Sequence, residues 1–141
     1  MNMVSLPCAC ANVRRAARVV TSLYDDALRD SGLRVTQFTL LQALELTGAT
    51  SQGDLGAVLA IDSTTLSRSL RPLLEEGWVR MVPGSDRRVR TLELTAAGRE
   101  RLAAANASWS AAQRRLRRAL GSDRWNRLQE DLVAVAELAT A

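Results

Sequence analysis

The sequence predicts a mainly α-helical domain with one small β-hairpin, and three observations carry that expectation. Leu66, Leu70, Leu73 and Leu74 recur at helical spacing, while Ser63, Thr64, Ser67, Arg68 and Arg71 fall on the other faces of the same helix. A shorter amphipathic segment, Gln52 to Leu59, precedes it across a tight corner, with Leu55, Val58 and Leu59 expected to point inward. Behind it, Trp78 to Val82 and Val89 to Leu94 read as two short strands joined by Pro83-Gly84-Ser85-Asp86-Arg87-Arg88. Helix, helix, hairpin in that order outlines a winged helix-turn-helix. Helices are expected on both sides of it.

Along the chain, Val13, Ala16, Ala17, Val20, Leu23, Ala27 and Leu28 make a helix of roughly Ala11 to Arg29, which Ser31-Gly32 ends. Thr36 is the expected cap of the next helix, whose Phe38, Leu40, Leu41, Leu44 and Leu46 are expected to be buried. Ser51 with Asp54 three residues on suits the start of the third helix, and Asp62 suits the start of the fourth. Pro72 lies inside that fourth helix, where loss of one backbone hydrogen bond predicts a kink. Thr95 caps a long helix to about Leu120. Leu102, Trp109 and Leu116 repeat there by sevens, with Ala105, Ala112 and Ala119 as a small-residue seam. A last helix presents Trp125, Leu128, Leu132, Val135 and Leu138. The 141 residues suffice for one domain, with 36–98 as the winged module and 1–31 and 99–141 as helices that pair with a second copy in a homodimer.

Composition narrows the function further. The chain has no histidine, so it holds no Ser-His-Asp or Cys-His centre, and two cysteines alone cannot complete a structural zinc site. Its eight glycines are scattered rather than gathered into a phosphate loop. No enzyme, no cofactor and no metal are expected. No apolar run approaches the roughly 20 residues needed to span a bilayer, and the first residues lack a charged leader, so the expected place is the cytoplasm and no membrane partner is foreseen. Formal net charge is +4, carried on the basic side by arginine alone. From Arg68 to Arg90, six arginines face only Glu75, Glu76 and Asp86, which concentrates positive charge on the helix and hairpin most suited to DNA.

The order of elements and the residues together resemble the MarR family of bacterial transcription regulators, from Cys10 to Leu138. Asp86-Arg87-Arg88 followed by Leu92-Glu93-Leu94-Thr95-Ala96-Ala97-Gly98 is similar to that family's wing signature. Leu55, Leu59 and Asp62-Ser63-Thr64-Thr65-Leu66-Ser67 match its helix-turn-helix. The resemblance implies a dimeric repressor or activator on double-stranded DNA with a pseudo-palindromic operator. Ser63, Thr64, Thr65 and Ser67 are short enough to meet base edges or phosphates in the major groove, and Arg68 and Arg71 can reach guanine or backbone oxygens. Thr65, beside Leu66, is expected to be partly packed. By the resemblance Arg88 enters a minor groove and Asp86 holds its guanidinium, while Arg87 and Arg90 read as solvated, with long-range attraction to DNA.

Cys8-Ala9-Cys10 lies at the start of the first helix, where the free amide end and nearby Arg14 and Arg15 favour a thiolate. Three readings stand. The thiols are inert; or Cys10 is oxidised and Cys8 resolves it; or the pair binds a soft ion such as arsenite, copper or zinc across a dimer. Tyr24, fourteen residues beyond Cys10, gives a spacing similar to the organic-hydroperoxide-sensing branch of the family. Arg14 stands where that branch carries a second tyrosine. If the cysteines are bystanders, the inducer is a small molecule, with Trp109, Tyr24 and Phe38 as expected pocket walls. Two rivals remain: a helical adaptor for a protein partner, which needs no arginines at the hairpin tip, and a thiol oxidoreductase, which lacks Cys-x-x-Cys spacing.

Overall fold

The structure, a computed structural model, describes residues 3–140. Among them six α-helices and one three-stranded antiparallel sheet follow the order α1 (Ala9–Leu28), α2 (Val35–Thr47), β1 (Thr50–Ser51), α3 (Gln52–Leu59), α4 (Ser63–Glu75), β2 (Val79–Pro83), β3 (Arg90–Leu94), α5 (Ala96–Leu120) and α6 (Ser122–Glu137). The sheet order is β1-β3-β2, so the hairpin is the wing and β1 flanks its second strand. Mainly helical with a small wing is thus the observed fold. No helix among the described residues is long and apolar enough to cross a membrane.

Local chemistry explains where the elements start. Ser51 accepts the Asp54 amide at 3.0 Å and Asp62 accepts the Thr65 amide at 2.9 Å, so α3 and α4 begin as their capping residues predict. Thr95 accepts the Gly98 amide at 3.0 Å and opens α5. Thr36 does not cap α2. That helix begins at Val35 with Arg34 as its cap residue, two residues earlier than a Thr36 cap would place it, because the Asp25 carboxylate takes the Val35 amide at 2.7 Å and Gln37 takes the Arg34 amide at 3.0 Å. Pro72 lies near the end of α4, with its ring exposed, and the helix runs on through it to Glu75.

Leu28, Phe38, Leu41, Leu55, Leu66, Leu73 and Leu92 meet in one core, each almost wholly buried. Two expected core residues stand outside it. Leu46 is 81% exposed, since it lies about 200° round the helix from Leu44. Val58 is 64% exposed, because α3 turns Gly56 inward instead. There the Ile61 carbonyl and the Leu66 side chain come close enough that a Cβ would sit 3.0 Å from the former. β1 was not foreseen: two residues offer no alternation to read, and Ser51 serves both as strand and as cap.

α5 carries the small-residue seam as expected, but the chain's own helices occupy much of it. Ala105 and Ala112 are buried against the α1 and α2 side of the molecule, while Ala119 is exposed. α6 buries no residue completely, and Leu132, Val135 and Leu138 remain exposed along it. At its other end α5 is pinned to the wing. The Trp78 carbonyl accepts the Thr95 amide at 3.0 Å, and a Cβ on Gly98 would fall 2.1 Å from that same oxygen. Gly98→Ala should therefore destabilise the chain by roughly 1–3 kcal/mol, as overpacking against backbone does. A shifted urea midpoint checks this, and an unchanged one would mean the contact is not tight.

Candidate nucleic-acid interface

The exposed face of α4 is polar and carries Arg68 and Arg71, and the hairpin tip carries the exposed Arg87 and Arg88. Asp62 anchors the start of α4 with both carboxylate oxygens, since Oδ2 also accepts the Thr65 hydroxyl at 2.7 Å. These two bonds from Thr65 hold the Asp62 carboxyl below its usual pKa. Thr65 is exposed rather than packed, yet its hydroxyl is already engaged, which leaves Ser63 and Thr64 as the free hydroxyls of the first turn. Ser67 is exposed and accepts a hydrogen bond from Gln52 Nε2 at 2.7 Å. Gln52 is the functional neighbour that pattern reading passed over. Its only signal was a polar residue at the first position of α3, which any exposed helix start can show.

Arg68 is exposed on the same face. Arg71 pairs with Glu75 at 3.1 Å, with both side chains largely in solvent. Such a pair is worth little and exchanges readily for a phosphate. In the wing, Asp86 does not hold the Arg88 guanidinium. Its Oδ1 accepts the Arg88 backbone amide at 2.9 Å, and its carbonyl accepts the Val89 amide at 3.0 Å, which closes the tip as a tight turn. Asp86 makes no ion pair among the described residues, so Arg87 and Arg88 project free from a turn that it shapes. Arg80 and Glu93, directly opposite in the strand register, are ion-paired across the hairpin and stiffen its shaft.

The residues expected to sense an inducer lie elsewhere and do not all meet. Cys8 is the residue before α1 and Cys10 is in its first turn, both as exposed free thiols. Tyr24 shares the same helix fourteen residues on, about 21 Å away at the α-helical rise, so within one chain it cannot touch Cys10. Its hydroxyl donates to Gln113 Oε1 of α5, and burial raises its pKa. Asn12 and Arg15 fold the preceding segment onto α1, donating to the Leu6 carbonyl at 2.7 Å and the Val4 carbonyl at 2.9 Å. Phe38 and Trp109 stack with centroids 5.6 Å apart, and Phe38 is fully buried, so they fill the core rather than wall a pocket. A groove of about 740 Å³ runs instead along α1 and the turn after it, lined by Arg18, Asp25, Asp26, Arg29 and Arg34 among others. No group of three or more Cys, Asp or Glu side chains gathers among the described residues to hold a metal ion.

A recognition helix behind a short supporting helix, a wing, and a long helix leading away define a winged helix-turn-helix DNA-binding regulator. The sequence model of the MarR family matches residues 33–89. The transcriptional regulator MosR of M. tuberculosis, solved in complex with DNA, is 37% identical, with a TM-score of 0.84 over 94% of this chain and 96% of that one. A second MosR structure is 34% identical, with a TM-score of 0.81 over 95% and 96% of the two chains. The chain belongs to the MarR family. A probable transcriptional regulator of Pseudomonas aeruginosa is 25% identical, with a TM-score of 0.82 over 92% of this chain and 97% of that one. The uncharacterised HTH-type regulator YwoH of Bacillus subtilis is 28% identical over 83 residues, a span of 59% of this chain and 61% of YwoH. The protein is a DNA-binding transcription regulator, and regulators of this family are not enzymes.

The Asp62 cap carries a pH signature. Because its carboxyl is held below the ordinary value in the folded state, its stabilising effect is present above the usual carboxylate pKa. That effect is lost as pH falls through the lowered value. Asp62→Ala should melt earlier than the parent at neutral pH, and the two melting temperatures should converge in acid. A gap that persists at low pH would show that Asp62 acts otherwise than through its charge.

Proposed function

We propose that the protein is a homodimeric repressor that binds a pseudo-palindromic operator and is released from it by oxidation at Cys10. The observation that carries the DNA half is the exposed polar face of α4, formed by Ser63, Thr64, Ser67, Arg68 and Arg71, and the free tip arginines Arg87 and Arg88 add to it. α4 enters the major groove with its first turns, and Arg88 follows the minor groove beside it. Thr65 and Asp86 act on this surface indirectly, one by locking the helix start and the other by shaping the turn. Dimerisation through α1, α5 and α6 is supported by the uncovered apolar residues of α6 and by exposed Val13 and Val19 on α1. Two recognition helices related by a two-fold axis read half-sites about one helical turn apart.

The trigger is a hydroperoxide acting on the exposed Cys10 thiol. The O–O bond breaks as sulfur takes one oxygen, leaving a sulfenic acid and an alcohol. The Cys8 thiol then attacks that sulfur, forming the disulfide and releasing water. Cys8 is extended at φ −90° and ψ 117° while Cys10 is helical, so closing this ring distorts the first turn of α1. The Cys8 carbonyl now accepts the Asn12 amide at 3.2 Å, and that bond is lost with the turn.

Arg88→Ala should weaken binding to the protein's own upstream promoter DNA by about 10- to 100-fold, with the dimer mass unchanged. Equal affinities at physiological salt in a gel-shift titration would remove Arg88 from the interface. Cumene hydroperoxide should release the promoter fragment, dithiothreitol should restore binding, and Cys10→Ser should stay bound throughout. Release of the serine variant by oxidant, or no release of the parent, would leave the regulator standing without a thiol switch.

A further inference from the structure

The most positive part of this chain is not its DNA-reading surface. Between Arg114 and Arg127 lie six arginines against Asp123 alone, a net of +5, which exceeds the +4 of the whole chain. The stretch from Arg68 to Arg90, with recognition helix and wing, carries six arginines against three carboxylates. Arg114, Arg115, Arg117 and Arg118 span about 160° of α5 at 100° per residue, on the side away from buried Ala112 and half-buried Leu116. In the single chain all four are exposed, as are Arg124 and Arg127 at the start of α6, and none of the six makes an ion pair among the described residues. The turn joining the two helices adds to the field. α6 starts at Gly121 with no side-chain cap, so its positive end points into the same region.

Three neighbouring carboxylates bear on the charge. Asp26 shares a shallow groove with Arg115 and Arg18, but Arg29 holds it at 2.6 Å. Glu130 and Asp131 follow a turn beyond Arg127 without pairing to it among the described residues. Arg117 and Arg118 stand in the last turn of α5, where a cation suits the helix end; that accounts for two of the six. The cluster is also far from the operator face. Arg114 to Arg118 lie 18 to 22 residues along α5 from its start beside the wing, roughly 27–33 Å away.

We propose that this arginine surface binds the phosphates of a second DNA duplex, without sequence preference, so that an operator-bound dimer bridges two DNA segments. The proposal rests on the reading of α4 and the wing as the operator face. Phosphate is the fitting ligand because the planar guanidinium fork matches it and the surface is built from arginine alone. A protein partner would need an apolar centre and a membrane would need an apolar face. No large apolar residue between Val89 and Leu132 is exposed among the described residues.

The test uses the full chain loaded on bead-bound promoter DNA, washed, and offered a labelled duplex of random sequence. The parent should capture that duplex, with affinity falling about 100-fold between 50 and 200 mM salt if four arginines release counterions. The fourfold variant Arg114→Gln, Arg115→Gln, Arg117→Gln, Arg118→Gln should load equally on the promoter and capture at least about tenfold less of the second duplex. Lysine at the same four positions should restore capture, which separates lost charge from lost folding. Equal capture by parent and glutamine variant overturns the proposal, as does a loaded parent that captures nothing at low salt. Binding to phosphatidylglycerol vesicles in place of the second duplex overturns it in favour of a membrane surface. If promoter loading itself fails, the operator reading falls. Random-duplex affinity of parent against glutamine variant, measured by anisotropy, then still decides the arginine surface, and equal values reject it.

Discussion

The approach of Gly98 to the Trp78 carbonyl is the constraint on which the rest of the molecule depends. No side chain other than hydrogen fits there, and Thr95 closes the joint by donating its hydroxyl to the Gly77 carbonyl at 2.6 Å. One short stretch therefore ends the wing, caps α5 and sets the angle between them. Arg101, one turn further along α5, lies with its guanidinium 5.1 Å from the Trp78 ring centre and packs against Gly32, where a Cβ would meet it at 2.6 Å. The base of the wing, the start of α5 and the turn after α1 thus move as one piece. Because α5 is 25 residues long, any tilt at its far end is delivered to the wing as a rotation about this joint.

Around that joint the recognition surface divides into groups that are free and groups that are held. Arg68, Arg87, Arg88, Ser63 and Thr64 are unengaged and exposed, which suits ligands still to come. Asp62 with Thr65, Gln52 with Ser67, and Asp86 with the Arg88 amide are held inside the module. Holding them fixes the start of the helix and the tip in the free chain, and on the proposed reading less ordering is then charged against binding DNA. An exposed carboxylate so near phosphate would repel it if left pointing outward. Asp62 and Asp86 both turn their oxygens to backbone amides, which uses their charge locally.

Much of this was legible in the sequence because it rests on local chemistry. Caps at Ser51, Asp62 and Thr95, the stripe of Leu66, Leu70 and Leu73, and the hairpin with its Asp-Arg-Arg tip are all contacts within a few residues. What escaped depends on partners distant in sequence. The start of α2 is set by Asp25, ten residues back, so Thr36 looked like a cap without being one. β1 exists only because β3 lies beside it. Leu46 and Val58 are apolar residues in segments so apolar that periodicity could not tell inside from outside. Asp86 was expected to hold the Arg88 guanidinium, and its carboxylate instead accepts the Arg88 backbone amide.

The geometry also limits how a signal at the cysteines can act. A disulfide between Cys8 and Cys10 disturbs one helical turn at the exposed beginning of α1. The side-chain hydrogen bond that ties α1 to α5 among the described residues, Tyr24 with Gln113, lies about 21 Å further on. A frayed first turn does not push on a contact at that distance, because the intervening helix keeps its own hydrogen bonds. The change must then act on what packs over the start of α1 rather than along it. In a homodimer that is the neighbouring copy, through the uncovered apolar faces of α1 and α6. On the proposed reading, a thiol switch would therefore be coupled to the spacing of the two winged modules, and a monomer would have no means of reporting oxidant to DNA.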